Sequence, residues 1–77
     1  MPCIKIIDSV KIYMYRRDHN PPHFHAQYAE YEELIEIKTL ETYIGRIPRK
    51  QRKKVVNWAK KNQSYLMDKW KEYNPGK

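Results

Sequence analysis

An α+β domain, with an antiparallel sheet first and basic helices last, is the fold this 77-residue chain predicts. Three observations carry that prediction. Residues 10–28 alternate apolar and polar side chains around a proline break. From Pro48 onward the apolar residues recur at helical spacing. The charge divides at the same boundary: residues 1–47 hold 6 Lys+Arg and 7 Asp+Glu, and residues 48–77 hold 10 and 2. The whole net charge of +7 therefore belongs to the last part of the chain.

The strands follow from period-two alternation. Over residues 10–15, Val10, Ile12 and Met14 face one way and Lys11, Tyr13 and Tyr15 the other, the pattern of a half-buried strand. Residues 4–7 form a shorter candidate at an edge. Asn20-Pro21-Pro22 interrupts the sheet, because proline has no N–H for a ladder. A strand at residues 23–28 sets Phe24, Ala26 and Tyr28 against His23, His25 and Gln27. A tight turn at Ala29-Glu30 leads to a strand at 32–38, with Leu34 opposed to Ile35 and Ile37. A turn at 39–41 leads to a last short strand at 42–47. The sum is a meander of about four strands, or five with residues 4–7.

Pro48 suits the first turn of a helix, where its missing N–H costs nothing. At 100° per residue, Val55, Ala59, Leu66, Trp70 and Tyr73 fall within about a 60° arc. Opposite lie Arg49, Lys50, Lys53, Lys54, Lys60, Lys61 and Lys71. One helix over residues 48–73 would run about 39 Å, longer than so small a sheet. A break near Asn62-Gln63 is expected, giving one kinked or two packed helices on one sheet face. The chain reads as one domain, residues 1–77, strand-rich over 1–47 and helical and strongly basic over 48–74.

Composition excludes several functions. One cysteine, Cys3, rules out an internal disulfide and a cysteine-rich zinc site. Two glycines, Gly45 and Gly76, cannot build a phosphate-cradling glycine loop. No apolar run approaches the roughly 18 residues of a membrane span. A cytoplasmic protein is expected.

Two constellations carry chemistry. All three histidines fall within Asp18-His19-Asn20-Pro21-Pro22-His23-Phe24-His25-Ala26. His23 and His25 leave one strand face, and the proline turn can return His19 toward them. That arrangement suits a divalent metal, with Asp18 or Glu30 as a carboxylate ligand, or acid–base catalysis. Both imidazoles are expected to be reachable by solvent. The alternative is packing of the rings on Tyr13 or Tyr15. The second constellation is the stripe Arg49, Lys50, Lys53, Lys54, Lys60 and Lys61, bordered by Trp58 and Tyr65. Cations with flanking aromatics suit phosphate contact and base stacking. Nothing resembles a helix built to read base edges in the major groove.

The stretches "DHNPPHFHAQY", "YEELIEI" and "IGRIPRKQRKKVVNWAKKNQSYLMDKW" resemble the bacterial family called domain of unknown function 4160. Asn20 to Ala26, Ile47-Pro48-Arg49, Trp58-Ala59 and Trp70 match its hallmark positions. The chain departs at Ala29-Glu30, where relatives often carry glycine, so a slightly altered hairpin is expected. Members are often encoded beside a second small family, domain of unknown function 2442, in a layout like a toxin–antitoxin pair. The resemblance thus implies a small protein partner and action on RNA or DNA, while the short apolar runs lead to the expectation of no membrane association. The competing class is a small metal- or histidine-dependent phosphodiesterase or ribonuclease-like enzyme using His19, His23 and His25.

Overall fold

The computed structural model describes residues 3–76. Five strands, β1 (Cys3–Ile7), β2 (Val10–Tyr13), β3 (His23–Tyr28), β4 (Tyr31–Glu36) and β5 (Thr42–Arg46), precede two helices, α1 (Arg49–Lys60) and α2 (Gln63–Tyr73). The strands pair in chain order as an antiparallel meander, β1-β2-β3-β4-β5. The edge candidate at residues 4–7 is thus a full member of the sheet.

Each turn is set by backbone chemistry. Ile7 pairs with Val10, and Asp8 and Ser9 between them both have positive φ, the twist that suits two-residue hairpins. At the next tight turn Ala29 takes φ 52° between the paired Tyr28 and Tyr31. Along β5 the register shifts, because Leu34 pairs with Ile44 but Ile35 with Thr42. Tyr43 is therefore an extra residue, a bulge. Nearby Gly45 lies at φ 78°, and a Cβ there would stand 2.3 Å from the Glu32 carbonyl oxygen. Only glycine fits that close approach.

One layer of side chains joins sheet to helices. Val10, Ile12 and Met14, Phe24 and Ala26, and Ile35 and Ile37 meet Val55, Ala59, Leu66 and Trp70 in a single buried cluster. The helical arc read from the sequence is thus the core-facing arc, with Tyr73 half-buried at its end. The helix breaks at the expected place. Lys61 and Asn62 donate their N–H groups to the carbonyls of Trp58 and Ala59, and the Asn62 side chain donates to Trp58 O at 2.8 Å. Gln63 then ties the start of α2 to the turn after β4, donating to Ile37 O at 2.8 Å. Among the described residues no helix is long and apolar enough to cross a membrane.

The end of α2 clasps the loop between β2 and β3. Asn74, itself buried, accepts the Asp18 N–H at 2.6 Å and donates to Tyr15 O at 3.3 Å. The Arg17 N–H donates to Tyr73 O. In the same loop the Asn20-Pro21 peptide is cis.

Candidate functional site

That clasp fixes Asp18 against β3. Asp18 Oδ2 lies 3.1 Å from Nε2 of His23 and 3.1 Å from Nε2 of His25. The two imidazole rings stand 5.2 Å apart. Among the described residues this trio brings three ligand atoms within 4.8 Å of one another. His19 is not one of them: its ring is exposed, and its backbone N–H donates to Asp18 Oδ1 at 2.8 Å.

The other ring nitrogens are engaged. His23 Nδ1 lies 2.8 Å from the Pro21 carbonyl, which can only accept, so Nδ1 carries the proton and donates. His25 Nδ1 lies 3.0 Å from Glu32 Oε2, again an acceptor. His23 Nε2 is buried and has no hydrogen-bond partner among the described residues, although Asp18 Oδ2 is 3.1 Å away. The approach has ion-pair distance but not hydrogen-bond geometry.

His23 is 1% exposed, which corrects the expectation of a solvent-reachable ring. It is the first residue of β3, beside the proline turn, where alternation alone does not decide burial. Trp70 packs 5.3 Å from its ring and the bulged Tyr43 5.6 Å. His25 retains 13% side-chain exposure and meets Tyr15 edge-on at 4.4 Å. Burial pushes the Asp18 carboxyl up. Hydrogen bonds from the His25 ring and the His19 N–H, with the charges of His23 and His25, outweigh it and hold the group below its ordinary value. Tyr15 is pushed above the usual phenol value, first by burial and then by the charges of Glu32 and Asp18.

The basic residues Arg49, Lys50, Lys53, Lys54 and Lys60 lie on α1, with Lys61 just beyond it, and all six are exposed. Lys54 ion-pairs with Asp8 at 2.6 Å, and that hydrogen bond and charge lower the Asp8 pKa. Tyr65 is exposed and Trp58 half-buried.

Sequence reasoning missed a second polar centre. Glu33 is 1% exposed. It accepts the Ile47 N–H at 3.1 Å, Arg52 Nε–H at 2.8 Å and the Thr42 hydroxyl. Arg52 also donates to Leu40 O at 3.1 Å. Beside it opens a pocket of about 460 Å³, lined by Tyr31, Arg46 and Arg49 among others. The signal was present: Glu33 shares its strand phase with Ile35 and Ile37, and Arg52 its helical phase with Val55 and Ala59.

No curated protein and no solved structure gives a significant match to the chain. A family described as Domain of unknown function (DUF4160) matches residues 10–71, a span that takes in the histidine loop, the sheet from β2 onward and nearly all of both helices. With that much of its 77 residues covered, the chain belongs to the DUF4160 family.

Proposed function

We propose that this protein is a small basic module that holds nucleic acid by its phosphates and works with a small protein partner, as in a toxin–antitoxin-like pair. One observation carries the reading. The six cations Arg49, Lys50, Lys53, Lys54, Lys60 and Lys61 are all exposed on and just after one helix, within the third of the chain that holds its entire charge excess. So concentrated a field attracts a polyanion far more than solubility requires. Tyr65 and Trp58 supply aromatic surface in the same segment, on which unpaired bases can stack. The partner protein follows from the family's gene layout rather than from a surface.

Fluorescence anisotropy with a single-stranded RNA and a duplex DNA, across a salt series, tests the reading. Affinity is expected to fall with a log–log slope of roughly −0.7 to −0.9 per phosphate contact. The double variant Lys53→Glu/Lys60→Glu is expected to lose binding while keeping its fold. No binding of either nucleic acid at low salt would remove this function.

A second reading, phosphodiester cleavage by the histidines, is favoured by the meeting of Asp18, His23 and His25 at one point. RNA hydrolysis lost in His25→Ala would support it. Intact RNA after prolonged incubation of the parent protein with divalent metal would end it.

A further inference from the structure

We propose that Asp18, His23 and His25 bind one divalent first-row transition-metal ion, of the class that zinc represents. The convergence of three ligand atoms, one of them a buried nitrogen without a hydrogen-bond partner among the described residues, carries the inference. His23 gives its Nδ1 proton to the Pro21 carbonyl, so in the neutral ring Nε2 presents a lone pair. That lone pair stands 3.1 Å from a carboxylate oxygen, which also offers only lone pairs. His25 has a carboxylate at each ring nitrogen and can donate to both only as the imidazolium. Two imidazole nitrogens and a carboxylate oxygen thus converge, a donor set that one cation can join. A proton can serve, but it satisfies one pair at a time. A metal ion accepts all three lone pairs together.

Four further features fit a metal. Imidazole nitrogen and carboxylate oxygen suit zinc, cobalt, nickel and iron, whereas magnesium and calcium prefer oxygen alone. Each histidine offers Nε2 while its Nδ1 is held by a carbonyl or a carboxylate, the partners that orient metal-bound histidines. The buried His23 Nε2 lacks any hydrogen-bond partner among the described residues. Finally, tetrahedral zinc ligands at about 2.0–2.1 Å stand roughly 3.3 Å apart. Asp18 Oδ2 is 3.1 Å from each nitrogen, and the whole set spans no more than 4.8 Å, so a modest ring tilt closes it.

Three protein ligands leave a coordination position for water or an anion. The ion would staple the β2–β3 loop to β3, which matters in a domain too small for a large core. This inference is independent of the phosphate-binding reading and needs no hydrolysis, so it would survive the failure of either.

The test uses the full chain without a purification tag, stripped by chelator and titrated with zinc against a chromophoric chelator. One ion per chain is expected to bind at micromolar concentration. Zinc is expected to raise the melting temperature, by mass action on the folded state, and magnesium at the same concentration is not. His25→Ala is expected to weaken zinc binding by at least about tenfold, the lower bound for losing even an outer partner of a ligand. His19→Ala is expected to bind like the parent. Circular dichroism checks each fold, and Asp18→Asn replaces His25→Ala if the latter does not fold. Absence of stoichiometric zinc binding by the parent would overturn the proposal. So would undiminished binding by His25→Ala or Asp18→Asn, or an equal loss in His19→Ala.

Discussion

Two buried polar centres in this small domain are wired in opposite ways. Around Glu33, one carboxylate receives three donors, from Ile47, Thr42 and Arg52. Around Asp18, the Nε2 atoms of His23 and His25 both meet Oδ2 at 3.1 Å, and that of His23 has no hydrogen-bond partner among the described residues. The first centre is balanced by the chain itself, and it joins β4 to β5 and to the start of α1. The second gathers two imidazole nitrogens and a carboxylate oxygen within 4.8 Å, a set that one cation can join. A buried charge with matched donors is explained by folding, whereas a buried ring nitrogen left without a hydrogen bond beside a carboxylate points to something the protein binds.

Breaking the balanced centre gives the largest expected effect. Arg52→Ala leaves the Glu33 carboxylate buried with its opposing charge gone. Such a loss costs about 3–5 kcal/mol in a deep site. The guanidinium is 32% exposed, so the lower end, about 3 kcal/mol, is expected from urea unfolding. A change under about 1 kcal/mol would make Glu33 no more a structural centre than Asp18.

The second centre is expected to tolerate more. With chelator present, His25→Ala removes two hydrogen bonds made by a partly exposed ring. The net loss is expected to be about 1 kcal/mol, well below that of Arg52→Ala. Equal losses in the two variants would erase the distinction.

The smallest effect is expected on the acid side. Asp18 is held below the ordinary aspartate value of 3.8, so the folded state prefers the carboxylate. Its contribution is fully present above that value and is lost as pH falls from there through the lower folded value. Stability curves of the parent and Asp18→Asn are therefore expected to differ most near neutrality and to converge in acid. Parallel curves would show that Asp18 gains nothing from its surroundings.

Much of the fold was legible because backbone periodicity reports it directly. The alternation from Val10 and from His23 located β2 and β3, and the apolar arc named Val55, Ala59, Leu66 and Trp70 as core. Simple length located the helix break, since an unbroken helix outreaches the sheet. Strand ends slipped by a residue or two: β2 stops at Tyr13 and β4 at Glu36. The site was less legible because it depends on tertiary neighbours. Loop sequence alone brings His19 as close to the others as Asp18. The Asn74 side chain, from the far end of the domain, holds the Asp18 backbone in place. The burial of His23 arises likewise from Trp70 and from Tyr43 on a bulge that no alternation announces. Glu33 and Arg52 were overlooked because charged residues on a polar background read as solvent-facing, although their phases placed them inward.

The Asn74 clasp also makes the site depend on the far end of the described chain. Every sheet pairing joins neighbours in sequence, so each closes a short loop and can form early and quickly. The Asn74 bonds instead reach back 56 residues to Asp18 and 59 to Tyr15. The loop that carries Asp18 gains these bonds only when the end of α2 has docked. The candidate site therefore depends on contacts between distant parts of the chain, whereas the sheet rests on near ones.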